Sequence, residues 1–186
     1  MTLATEVGSN CMTVAEDSVV AALKNSAGWQ AITETTSDTD ALAFIFYDQQ
    51  DAPTDGWAFT LTELEAKRVA ALVLSDPDSP LLIKQGLAED ASDKGGAVLI
   101  VVERLVRESE KNSNTNQQRW LKNKLGDVCT EMFAYMTLNQ GPRWCRQVKL
   151  KQAPIVNEEK SETVQGYRQT AAIIVKWGAA GEEVGD

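Results

Sequence analysis

The chain reads as an α+β domain, with a mainly antiparallel sheet packed on one face by a long amphipathic helix and a shorter N-terminal helix. Three observations predict this. Residues 97–102 are apolar on both faces of a strand, so the middle of that strand should be covered from both sides. Leu121, Leu125, Val128, Met132 and Met136 step by four, three, four and four, the spacing of one buried helical stripe. Ala171, Ile173, Val175 and Trp177 alternate along a closing strand and line one of its faces.

At 186 residues, 43% hydrophobic and 24% charged, the chain is long enough to bury a core and has the composition of a globular protein. One domain over residues 13–178 is expected, with a flexible arm at 1–12 and an acidic tail at 179–186. No apolar run is long enough for a membrane span, and the first thirty residues are too acidic for a secretory signal.

Taken in order, Thr13 and Glu16 have the spacing of a capping box, so a helix should open at Thr13 and stop near Gly28. Trp29 and Ile32 then tuck its exit against the core. Residues 33–40 are all Thr, Ser, Asp or Glu and should form a surface loop. Residues 41–47 form a short apolar run, read as a buried strand, with a helix as the alternative. Residues 51–56 have turn chemistry, with Pro53 and Gly56.

A second cap is expected at Thr60 or Thr62, opening a short helix over 61–68 that is followed by a strand over 70–74. One longer helix over 62–74 is the competing reading. Pro77 and Pro80 break any ladder, so residues 76–80 should turn and residues 81–84 pair back as the second arm of a hairpin. Residues 87–96 read as a connection. The strand from Ala97 should emerge toward solvent at Glu103 and Arg104 and pass into a polar loop over 107–116.

The long helix should span about 116–137, with Trp120, Cys129, Phe133 and Tyr135 widening its apolar stripe. Gly141 and Pro142 end that segment. In the next strand, Trp144, Val148 and Leu150 should share one face and Cys145, Gln147 and Lys149 the other. Residues 154–166 read as a polar excursion before the closing strand.

Composition also excludes chemistry. The chain has no histidine, so Ser-His and Cys-His nucleophile pairs and imidazole zinc sites are ruled out. Cys11, Cys129 and Cys145 form no CxxC pair and read as reduced, buried fillers. A net charge of -9 opposes general attraction to nucleic-acid phosphates. Asp76 and Asp78 begin like a calcium loop, but Pro80 and Leu81 occupy positions that need a ligand and a glycine. Pro77-Asp78 with Glu158-x-Lys160 imitates a metal-dependent nuclease signature, yet both pieces fall in turn-like segments. Gly95-Gly96 precedes a strand and cannot cradle phosphate at a helix start.

Lys122, Lys124, Arg143, Arg146, Lys149 and Lys151 make the middle of the chain basic. They are either a solvated face balancing an acidic surface or a patch that meets acidic residues of a neighbouring copy.

Residues 96–104 (Gly-Ala-Val-Leu-Ile-Val-Val-Glu-Arg), the helix over 117–136, the strand opening at Trp144, and residues 166–178 with their Val-x-Trp-Gly ending occur in an order that resembles the tail terminator (tail completion) proteins of long-tailed bacteriophages. The resemblance covers about half the chain, and the long first half departs from it. It implies a structural virion protein and no enzyme. Such a protein is assembled in the host cytoplasm and forms a homo-oligomeric ring, usually a hexamer, that caps the tail tube and joins it to the head. The implied partners are the tail tube protein on one face and a neck or connector protein on the other. Genomic DNA passes through without specific binding, and no membrane is involved. A neck or head-tail stopper protein would look similar, and a carboxylate-dependent metal enzyme is the rival from another class.

Expected interface residues are Arg107, Glu108, Glu110 and Lys111 around the polar loop, Arg119 and Lys122 on the helix, and Arg143 and Arg146 at the following strand. No catalytic, cofactor-binding or metal-ligating residue is expected.

Overall fold

The computed structural model describes residues 11–47, 58–75, 82–85, 92–107, 116–140, 145–160 and 165–179. Helix α1 (Cys11–Lys24) is followed by two short helices, α2 (Ala27–Thr33) and α3 (Asp38–Leu42), and by strand β1 (Ile45–Tyr47). Helix α4 (Leu61–Lys67) leads into β2 (Val69–Ser75), β3 (Leu82–Gln85) and the long β4 (Ser92–Arg107). Helix α5 (Gln117–Gln140) and the strands β5 (Cys145–Lys160) and β6 (Gln165–Ala179) complete the order.

These elements form the expected α+β fold. The sheet runs β1-β2-β4-β6-β5, with β3 also on β4, and every pairing is antiparallel except β1 with β2. The parallel pair is joined through a segment containing α4, as parallel strands need a crossover.

Each face of the sheet has its own core. On the first, α1, α2 and α5 cover Val69, Ala71, Val98, Ile100, Ile173 and Val175, and all five predicted stripe residues of α5 are fully buried. Burying a side chain such as Leu125 or Met132 contributes about 1.5–3 kcal/mol. On the opposite face, Phe59 and Leu64 from around α4 pack on Ala70, Leu72 and Leu105. Helices therefore lie on both faces, with the longer ones together. Phe133 departs from the expected widening of the stripe and is exposed.

Several expected boundaries move. The first helix is already formed at Cys11, so Met12 is helical and Thr13 is not its cap. Gly28 does not stop it, because it lies inside α2, where the chain passes close to α5. A Cβ there would meet the Val128 side chain at 3.0 Å and the Lys124 carbonyl at 3.1 Å. Residues 38–42 are helical, since Ser37 caps α3 by accepting from the Asp40 N–H, and the predicted strand shrinks to 45–47. The capping box at Thr60 and Glu63 is formed and opens α4 where expected.

No hairpin joins β2 to β3. Ser75 pairs with Val98 and Leu82 with Gly95, so β3 continues along the same edge of β4 in the same direction. The turn predicted at 76–80 lies outside the described residues, as do the arm at 1–10, the turn at 51–56, Gly141-Pro142 and the tail from residue 180.

Residues 92–96 belong to β4, and 154–160 belong to β5, which makes the final hairpin longer than its polar sequence suggests. A bulge between Cys145 and Gln147 shifts the faces of β5. Cys145 is therefore buried in the same core that Val148 and Leu150 touch, a correction to the simple alternation.

Candidate functional site

Among the described residues, a buried ion pair lies at Glu103, where the strand was expected to turn toward water. Leu105 and Val106 beyond it are buried, so the strand does not emerge there. Glu103 is 1% exposed and Arg168, on the neighbouring β6, is 2% exposed. A charge is tolerated at such depth only when paired and hydrogen-bonded. Here Glu103 Oε1 accepts the Ala58 N–H at 3.0 Å and Oε2 accepts the Phe59 N–H at 3.3 Å. Arg168 Nη1 donates to Glu103 Oε2 at 3.2 Å and to the Phe59 carbonyl at 2.9 Å.

Burial pushes the Glu103 carboxyl above the usual carboxylate range, against the opposing pull of the Ala58 amide, Arg168 and the Phe59 amide. All four bonds go to backbone or between the two side chains. The pair therefore clamps the segment entering α4 onto the sheet, and its geometry is that of a structural lock.

Two further polar junctions hold the helices. Ser26 donates to Glu131 at 2.6 Å and the Gly28 N–H donates to the same oxygen at 2.9 Å, so a side chain of α5 satisfies the start of α2. The Arg104 guanidinium lies 4.8 Å from the Trp120 ring and donates to Gln117 at 3.0 Å, which fixes the N-terminal turn of α5 to β4. Among the described residues, no three His, Cys, Asp or Glu side chains gather as metal ligands. No described helix is long and apolar enough to cross a membrane.

The surface is uneven at the two ends of the sheet. At the β5 end, Ile155 and Val156 are exposed, and Arg146 and Lys149 stand on the same strand in solvent. Helix α5 overlies this strand, and its Gln118 donates to the Pro154 carbonyl. Lys122 stands one turn further along. Phe133, three turns beyond Lys122, comes to the same flank, about 160° round the helix from Glu131.

At the β1 end, Leu42 and Tyr47 are exposed beside Asp17 and Asp40. The Tyr47 hydroxyl donates to Asp17 at 2.8 Å, and burial followed by that carboxylate raises its pKa to about 12.

Of the predicted interface residues, Arg119 and Lys122 lie exposed on the first turns of α5, and Arg146 is exposed at the β5 bulge. They line one side of the molecule but stand toward opposite ends of β5. Arg107 is elsewhere, at the end of β4 opposite Gly166. Glu108, Glu110, Lys111 and Arg143 lie outside the described residues. Glu158 of the imitated nuclease signature sits in a strand, not a turn, while Pro77 and Asp78 are outside the described residues.

Sequence reasoning missed Glu103, Arg168 and Glu131 as polar anchors. The available signal for Glu103 was a lone acid in an apolar run that resumes at Leu105. Compared with known proteins, the chain matches no family model and no curated sequence.

Proposed function

We propose that this chain is a structural subunit of a bacteriophage tail that assembles into a ring and caps the tail tube, in the manner of a tail terminator. The observation that supports the reading is the succession from Ser92 to Ala179: a strand, a 24-residue helix and a two-stranded hairpin. That is the order on which the resemblance to tail terminators rests. A ring subunit needs two different surface patches that meet with a closing rotation. Large apolar side chains left in solvent at separate places on this molecule suit that requirement.

In this reading, tail tube protein meets one face of the ring and a connector protein the other. DNA slides through a lumen whose subunits carry a net charge of -9 each, which disfavours capture of phosphate.

Native mass spectrometry and negative-stain microscopy test the proposal. A closed ring, hexameric by analogy, that decorates the ends of purified tail tubes is the expected result. Monomers at all concentrations, with tube ends left bare, reject it. A ring that binds connector particles and ignores tubes moves the assignment to a neck protein.

A further inference from the structure

The two ends of the sheet carry opposite charge, and both carry exposed apolar side chains. Six large hydrophobic residues are exposed among the described residues. Five of them fall into the two end groups already described: Leu42 and Tyr47 with β1, and Phe133, Ile155 and Val156 with β5. The sixth, Leu138, stands near the C-terminal end of α5. Around Leu42 and Tyr47 the exposed charges are Asp17 and Asp40. Lys24 pairs with Asp38 at 3.6 Å, and Lys67 keeps its charge while bonding the Ala43 carbonyl at 3.0 Å beside the Phe44 and Phe46 rings, so Glu16, Asp17, Asp38 and Asp40 outnumber these two cations. On the β5 side the exposed cations are Arg146, Lys149 and Lys151 toward the start of the strand and Lys122 on α5, while Glu158 stands two residues beyond Val156.

We infer that these ends are the two halves of one interface, and that a second copy of this chain is the partner, the β5 end of one subunit seated against the β1 end of the next. The inference rests on the ring reading and specifies which surfaces close the ring. Its basis is complementarity in sign and in kind. Each end offers apolar side chains for a contact centre and charges for a rim, arranged so that like ends repel and unlike ends attract. Four strand spacings separate β1 from β5, about 19 Å. That exceeds the screening length of about 8 Å at physiological salt, so each end presents its own sign to a neighbour. A contact between unlike ends is heterologous, as a ring requires and a two-fold dimer does not.

The subunits meet through side chains and do not extend one continuous ladder. Register shifts between Cys145 and Ile155, the exposed lysines and Pro154 protect most of the outer edge of β5 against strand pairing.

A charge-swap experiment tests this on the full chain. One variant carries Lys122→Glu and Lys149→Glu, the other Asp17→Lys and Asp40→Lys. All four positions are exposed, and far-UV circular dichroism checks that each variant folds. In each variant both ends have the same sign, so neither should form the wild-type ring by native mass spectrometry. Mixed one to one, they should regain it as an alternating ring, because every junction again joins unlike ends. Neutral versions, K122Q with K149Q and D17N with D40N, should weaken assembly and recover only in part on mixing, because only every second junction regains opposite charges.

If the wild type forms a ring and both charge-reversed variants still do, the end-to-end interface is wrong while the ring reading survives. Loss of assembly in both variants without recovery in the mixture also overturns the interface. A wild type that stays monomeric rejects the ring and the interface together.

Discussion

Glu103 and Arg168 are not cross-strand partners. Glu103 lies opposite Thr170, and Arg168 lies opposite Leu105, so the 3.2 Å ion pair runs diagonally between β4 and β6. The diagonal lets Glu103 reach the Ala58 and Phe59 amides while Arg168 reaches the Phe59 carbonyl. Removing one partner strands the other in a buried site, at a cost of about 3–5 kcal/mol. Glu103→Leu and Arg168→Met should therefore each destabilise the protein strongly. The double variant should lose less than the sum of the two, by urea unfolding. Additive losses would show that the charges do not depend on each other.

The apolar stripe of α5 and the closing strand meet in one core. Leu125→Ala and Trp177→Ala should each cost about 2–5 kcal/mol, read from the shift in the denaturation midpoint. Unchanged melts would show that these side chains are not interior.

Two glycines make opposite predictions. Gly28→Ala drives a methyl group into the backbone of α5, which cannot yield as a flexible side chain would, and should cost about 1–3 kcal/mol. Gly126→Ala meets nothing within 4 Å and should stabilise α5 by about 0.5–1 kcal/mol. Equal effects at the two sites would contradict the close approach of α2 to α5.

Burial raises the thiols of Cys129 and Cys145 to about 11. An unfolded thiol titrates at about 8.5. Because the folded value is the higher one, the folded state holds these protons longer. Their contribution to stability is complete below about pH 8.5 and is lost as pH rises toward 11. Alkylation of both, followed by peptide mass mapping, should be slow at neutral pH and should accelerate on unfolding. Rapid native labelling of Cys145 would count against its burial.

Much of the fold was legible because its signals are local. The spacing from Leu121 to Met136, the alternation from Ala171 to Trp177 and the Thr60 cap each lie within one element and are decided by it. What escaped depends on distant partners. Glu103 and Arg168 are 65 residues apart, and each alone has the look of a solvated charge. The bulge at the start of β5 changes which face Cys145 occupies, and nothing within five residues announces it. Opposite charge at the sheet's two ends could be read only once the strand order placed residues near 17 and 40 far from those near 122 and 149. The basic middle of the chain was visible, but not the acidic surface that would complement it.

Strand order also governs how the chain can be made. β6 is the latest strand in sequence, yet it lies between β4 and β5. A nascent chain that has reached Lys160 holds the strands on both sides of a gap that only residues 165–179 can fill. Translation must deliver that stretch beyond the ribosomal exit before the sheet can close. Until then the apolar flanks of β4 and β5 are bare, and a stalled or shortened product would be a natural target for chaperones and proteases.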